Sequence, residues 1–335
     1  VLISVYIPFV VTTVLTVLAP PMARGLTPRP AAWALACAAL VTAVGWAGSL
    51  ALLAFTGIAQ IPQVAAEGHW SAAAVRAQDP VYVTVAVAGA LVLAAGVGNL
   101  SVAAFRQVRQ IVRFRKECAD LPGDTELSVL DDDAPRAFAL PGAPGRIVVS
   151  RGMLRRLGNE ERAALLAHER AHLRGRHYLF LGLWQLTAAL NPLLRPLAKA
   201  GAFALERWAD EEAAVRVGDR AVVARAVGRA ALASAGAASP GVLAATGGEV
   251  PQRVRALLAP PPARRSLPFA AGALLLAVCC ASLANAASDS DELVDSAKRV
   301  RCAELLGATA AQPTGAPRPA SAFHCGPHHE GEHRS

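Results

Sequence analysis

Long apolar runs alternate with polar, arginine-rich stretches along this chain, and four of the runs are long enough to cross a bilayer. A hydrocarbon core of about 30 Å needs roughly 20 helical residues. Val1 to Pro20, Ala31 to Phe55, Val81 to Phe105 and Leu267 to Ala287 meet that length without an interior run of charge. The first run lacks a basic start and is followed by further spans, which favours a retained anchor over a cleaved signal segment. A fifth run, Tyr178 to Leu190, stops after 13 residues at Asn191-Pro192 and is too short to span. It reads as a buried or membrane-leaning helix, paired in a hairpin with Leu193 to Leu205.

Between the third and fourth runs the pattern changes. Glu126 to Leu130, Ala137 to Leu140 and Arg146 to Ser150 are β-prone and bounded by turn residues, so a small sheet is expected there. Asn159 then reads as a helix N-cap, with Glu160 and Glu161 in the first turn where the helix dipole favours carboxylates. Beyond Asp210 a helix rich in Ala, Arg and Val is expected to about Ser234, then a Gly/Ala linker, then a short helix from Pro251 to Leu258. The predicted fold is a mainly α membrane protein: a three-helix membrane region (1–105), an α+β catalytic domain of the zincin type (106–265), a fourth span (266–287) and a short, disordered external tail (288–335).

Composition supports this reading, since 54% of residues are hydrophobic and only 17% charged, outside the range of ordinary soluble domains. The formal charge of +8 would suit nucleic acid, yet the arginines cluster beside apolar runs and have no interleaved aromatic stacking groups. No direct nucleic-acid partner is expected. Basic residues concentrate in cytoplasmic loops. Arg24 and Arg29 follow the first span, Arg106, Arg109, Arg113, Arg115 and Lys116 follow the third, and Arg264 and Arg265 precede the fourth. The 160 residues from 106 to 265 are therefore expected in the cytoplasm and the C-terminal tail outside. Six cysteines show no CxxC pair, and only Cys302 and Cys325 are candidates for a disulfide.

The chemistry lies in His168-Glu169-Arg170-Ala171-His172. Histidines four apart on a helix project from one face, one turn apart, so both ring nitrogens can reach a single zinc ion. Glu169, one step round, can take a proton from an attacking water as general base. Downstream, Glu206 and Asp210 are also four apart on a predicted helix. Glu206 completes a His, His, Glu set that leaves a fourth zinc position open, and Asp210 can fix a histidine tautomer from behind. His177 lies about 500° round a continued helix from His172, which makes it a poor ligand and a weak candidate for stabilising an oxyanion, with a structural or surface role favoured. The His- and Cys-containing tail, His324 to His333, reads as a solvated segment with a weaker metal-binding alternative.

In order, AFALPG, IVVSRGML, LLAHERAH, NPLL and LERWAD resemble the membrane metallopeptidases of the BlaR/MecR antirepressor type. The pattern is also similar, more distantly, to the CAAX-prenyl and heat-shock membrane proteases, which share a gluzincin-like HExxH with a downstream ExxxD. The resemblance implies zinc held by His168, His172 and Glu206, Glu169 as the catalytic base and Asp210 as the carboxylate behind the ligands. It also implies proteolysis of a cytoplasmic repressor after an external signal. After the fourth span no SxxK motif of the penicillin-binding kind follows, so a β-lactam signal is not expected. The strand at Phe138, Ala139 and Leu140 is expected to bind substrate by strand addition. The expected partners are a protein substrate, foremost a cytoplasmic repressor, the lipid bilayer and a second copy of the chain in a homodimer. The rival readings are a quality-control protease of membrane proteins and a catalytically silent receptor or scaffold.

Overall fold

The computed structural model describes residues 2–78, 82–121, 125–142, 144–235, 248–261 and 266–310. Among them four helices are long and apolar enough to cross a membrane: α1 (Leu2–Arg24), α2 (Pro28–Ala59), α5 (Val83–Asp120) and α12 (Leu267–Ala310). The short helices α3 (Pro62–Glu67) and α4 (Ala72–Gln78) lie between the second and third. Two of the long helices outrun the expected spans. α5 carries on without a break through Arg106 to Asp120, because no Gly or Pro interrupts that polar stretch. α12 continues through the acidic segment to Ala310, where a disordered tail was expected from Ser288. Residues 311–335, with the His-rich stretch and Cys325, lie outside the described residues, as do Arg264 and Arg265.

The chain divides into two compact units. One comprises residues 1–8, 47–94 and 280–335. Its core is a cluster of Ala59, Val75, Leu293 and Ala297, flanked by Trp70, whose indole N–H donates to the Ala59 carbonyl at 2.9 Å.

The second unit comprises residues 9–46 and 95–279. Its sheet has strand order β1 (Leu127–Leu130), β3 (Arg146–Ser150), β2 (Ala137–Leu140). β1 runs parallel and β2 antiparallel to the central, fully buried β3, so β2 has one free edge. Ser150 ends β3 and caps α6 (Arg151–Arg156), its Oγ accepting from the Met153 amide at 3.1 Å. The helices that follow are α7 (Asn159–Arg174), α8 (His177–Leu190), a single 3-10 turn at Pro192–Leu194, α9 (Arg195–Val217), α10 (Arg220–Ala235) and α11 (Glu249–Leu258).

Three local expectations shift by small steps, each for a legible reason. Gly158, not Asn159, caps α7: the Glu161 carboxylate reaches back to accept from the Gly158 amide at 2.9 Å and also takes the Arg229 guanidinium at 2.8 Å, anchoring α7 to α10. The stretch beyond Asp210 is two helices rather than one, because Gly218 adopts a left-handed conformation (φ 81°) that ends α9. α11 begins at Glu249 with Pro251 inside its first turn, where a missing N–H costs nothing.

α7, α9, α10 and α11 share a core of small residues, among them Ala164, Ala167, Ala213, Ala214 and Ala226. Small side chains at helix contacts allow closer approach, and here they bring the HExxH helix against the helix carrying Glu206. α8 and α9 form the expected hairpin, closed by Trp184 against Gly201: a Cβ on Gly201 would sit 2.4–2.6 Å from three atoms of the buried indole.

Gly201→Val is expected to lower stability by about 1–3 kcal/mol through overpacking, more than the few tenths gained in helix propensity. Gly228 on α10 faces open space, so Gly228→Ala should raise stability by about 0.5–1 kcal/mol. Thermal unfolding of both variants in one detergent decides, and equal melting temperatures for the pair would show that the Trp184–Gly201 contact does not hold the hairpin.

Candidate active site

α7 presents His168, Glu169 and His172 towards α9, which presents Glu206 and Asp210 on the facing side. The two Nε2 atoms of His168 and His172 are 3.1 Å apart. The Glu206 carboxylate lies 3.6 Å from each, through Oε2 to His168 and Oε1 to His172. One ligand atom from each residue falls within a group no wider than 4.8 Å. Zinc bonds of about 2.0–2.1 Å in a tetrahedron set donor atoms roughly 3.3 Å apart. The donor set therefore fits such an ion in chemistry and in spacing.

The remaining ring nitrogens explain why both Nε2 atoms are free to converge. His168 Nδ1 lies 3.0 Å from Asp210 Oδ1, an ion-pair contact whose angle is off the ideal for a hydrogen bond. His172 Nδ1 lies 2.9 Å from Nδ1 of His177. A ligand histidine whose proton sits on Nδ1, facing these partners, leaves its Nε2 lone pair for a cation. His177 is 1% exposed and its ring stands 4.6 Å, centroid to centroid, from Trp208. It thus stands behind a ligand while its ring borders the open space in front of the site. The 500° extrapolation fails because α7 does not continue: the chain breaks at Gly175 and at Arg176, which has φ 48°, and His177 starts a new helix that turns it back towards the site.

Arg253 on α11 is the residue that sequence reasoning missed. Its guanidinium clamps Asp210 with Nε to Oδ2 at 2.7 Å and Nη2 to Oδ1 at 2.6 Å, while Nη1 reaches Glu206 Oε2 at 2.8 Å. Asp210 is 1% exposed, and a buried carboxylate demands a cation. That demand was visible in the sequence, but 43 residues and a linker separate the partners, and many arginines could have met it.

Electrostatics follow this geometry. Burial raises the Glu169 carboxyl, and the like charge of Glu206 adds to it, against the pull of His168, Arg253 and the Ala139 amide, leaving the pKa above the ordinary value. Burial alone would raise Glu206, yet His168, Arg253 and His172 outweigh it and hold its pKa well below the usual range. Asp210 is likewise depressed against burial, by Arg253 and His168. His172 is lowered to about 4 by burial and by His168. Burial opposes charge on His168, but Asp210 and Glu206 carry it up to about 10. These opposite shifts favour positive charge on His168 over His172.

A cleft of about 500 Å³ opens over these groups. Phe138 and Ala139 of the β2 edge line it, as expected for strand addition, but Leu140 does not. Leu140 is 3% exposed and packs with Cys118 at the end of α5 and with Val148 of β3; it shares its strand face with Phe138, and the cover from α5 is what takes it out of the cleft. The farther cleft walls are apolar, with Met153, Leu165, Tyr178, Leu181 and Val227.

Two histidines and a glutamate gathered at metal-ligand spacing, with a buried glutamate beside them and an edge strand above, make up a metallopeptidase-type centre. In agreement, residues 103–260 match the family model for Peptidase family M48, and the match supports a metallopeptidase. No curated protein and no solved structure matches the chain.

Arg253→Ala is expected to weaken metal binding by about 10–100-fold, the usual effect of removing a partner behind the ligands. Arg253→Lys, which restores charge without the two-pronged geometry, should recover only part of that loss. Metal titration followed by mass spectrometry under native conditions measures both, and wild-type affinity in Arg253→Ala would show that the clamp does not support the site.

Proposed function

We propose that the chain is a membrane-embedded zinc metalloendopeptidase acting on the cytoplasmic side, with His168, His172 and Glu206 as the zinc ligands. The observation that carries this reading is the convergence of those three side chains beside Glu169 under a free strand edge. Zinc, when bound, supplies a Lewis acid for the scissile carbonyl and for water. Glu169 takes the proton of the attacking water on its carboxylate and hands it to the departing amine. Its raised pKa suits that exchange, because a base poised closer to neutrality both accepts and releases a proton readily. Asp210 and Arg253 keep the ligands oriented.

Phe138 and Ala139 offer backbone at the β2 edge, where an extended peptide adds as a further strand above Glu169. Regulated cleavage of a cytoplasmic repressor is the substrate reading we favour, on the resemblance of motif order to the BlaR/MecR-type antirepressors. Broad clearance of membrane proteins is the second reading, and the apolar cleft walls around Leu165, Tyr178 and Leu181 favour it. A silent scaffold has no use for Glu169, a buried carboxylate with a raised pKa.

Wild-type protein is expected to bind one zinc per chain, and His168→Ala, His172→Ala and Glu206→Ala each to lose most of it. Full zinc content in Glu206→Ala would remove Glu206 from the ligand set. Glu169→Gln should keep its zinc yet lose at least about a hundredfold in turnover, since the amide cannot accept the proton. Cleavage of a candidate repressor or of the chain itself, assayed at matched zinc content, is the readout. Undiminished cleavage by Glu169→Gln would sink the proposed base.

For topology, a reporter fused after Arg115 should be cytoplasmic and one fused after Ser288 external, since basic residues gather at the inner ends of the spans. The reverse labelling would place the catalytic residues outside.

A further inference from the structure

We propose that α8 is a half-membrane helix: it enters the lipid leaflet on the catalytic side, turns at Asn191-Pro192 inside it and returns through α9 without crossing. The inference rests on the reading of this chain as a membrane protein and adds a lipid-contacting surface to the catalytic domain itself.

The first observation is the path of α8 along α5. At the entrance, Gly182 packs so closely on the Gln107 side chain that a Cβ there would overlap it. At the far end, the Leu190 carbonyl oxygen lies 2.7 Å from where a Cβ on Gly96 would stand. Gln107 sits in the basic stretch that follows the third apolar run, and Gly96 sits within that run. Eleven helical residues from Gln107 to Gly96 amount to roughly 16 Å, about half of a 30 Å hydrocarbon core. The eight residues from Gly182 to Leu190 cover roughly 12 Å in the opposite direction. α8 therefore descends beside α5 to a level that lipid surrounds.

The second observation fixes the level of the entrance from the other side. Trp33 of α2 meets Phe180 of α8 edge to face at 4.8 Å, and the Arg29 guanidinium lies over the Trp208 ring at 5.2 Å. Arg207, itself 5% exposed, donates to the Arg24 carbonyl at 2.6 Å. The polar connection between the first two spans thus lies level with Glu206 and its neighbours, and α8 extends away from that level towards the apolar runs.

Composition agrees with immersion. No charged residue occurs from Tyr178 to Leu194. Leu179 is 50% exposed and Leu193 54%, a large apolar surface that acyl chains would cover and water would not. Two of the polar side chains serve the local backbone: the Thr187 hydroxyl donates to the Trp184 carbonyl, and the Asn191 side-chain oxygen accepts from the Leu193 amide across the turn; Gln185 is an exposed, uncharged polar side chain within α8. Arg195 and Lys199 on the returning helix set the limit of depth. Lys199 lies in the space it shares with Pro20, Ala23 and Arg24 at the end of the first span, where long cationic side chains reach the headgroups.

Spin labels test this on the full chain in phosphatidylcholine nanodiscs, with all six native cysteines replaced by alanine. Single cysteines are placed at Leu179, Leu193, Val97 and Val215, and metal content equal to wild type certifies each labelled protein as folded. Val97 lies in the third apolar run, and Val215, 85% exposed on α9, is the water control. Leu179→Cys and Leu193→Cys are expected to resemble Val97→Cys, with collision rates favouring oxygen over a water-soluble nickel complex several-fold more than at Val215→Cys. Nickel access at 179 and 193 equal to that at 215, with Val97 in lipid, overturns the half-membrane helix while leaving the membrane protein intact. Nickel access at Val97 as well would overturn both.

Discussion

Three carboxylates, Glu169, Glu206 and Asp210, crowd into one poorly solvated space, and their mutual repulsion is the constraint to which the surrounding structure answers. Like charges at this range cannot all remain ionised unless positive charge is built in among them. Arg253 supplies one such charge, shared between Asp210 and Glu206. A proton on His168 or a metal ion supplies the other. The consequence is a division of labour set by position: Glu206 and Asp210, in direct contact with the cations, are acidic, and Glu169, which feels His168 and Arg253 only across space and is raised chiefly by burial, is not. A pair of roles for chemically similar side chains thus follows from where α11 and α7 place positive charge.

That arrangement depends on helices packed through alanine. The contact between α7 and α9 is lined by Ala164, Ala167, Ala213 and Ala214, so the histidines of one helix and the carboxylates of the other meet across a short gap. Glu161 holds the start of α7 against α10 through Arg229, and the left-handed residue at Arg176 sends α8 off in a new direction. Rigid positioning comes from these joints, and the open edge of β2 leaves room for a backbone to enter.

Much of this was legible in the chain because it obeys local periodicity. Histidines four apart must share a face, Glu206 and Asp210 likewise, β1 and β3 announce themselves by β-branched residues, and β2 by the Pro141-Gly142 turn that ends it. What escaped was of a different kind. Arg253 finds Asp210 only through the packing of α11 on α9, for which spacing offers no rule. His177 was misplaced by treating α7 as unbroken, although Gly175 marked its end. Leu140 was assigned with its strand neighbours to the cleft, but Cys118 at the end of α5, distant in sequence, covers it. Gly158 outcompeted Asn159 as the cap because Glu161 could satisfy the free amide from within the helix.

The position of Arg253 also bears on biosynthesis. A ribosome makes the chain from its N-terminus, so the histidines, Glu169, Glu206 and Asp210 all emerge before α11 exists. Until Arg253 arrives, two of the buried carboxylates lack their fixed counterion, and α7 and α9 cannot settle into their final spacing without burying uncompensated charge. The peptide that completes the centre is the last folded helix before the fourth apolar run, which the membrane machinery must then accept. A chain that ends before α11 therefore leaves its two most acidic carboxylates dependent on His168 for positive charge.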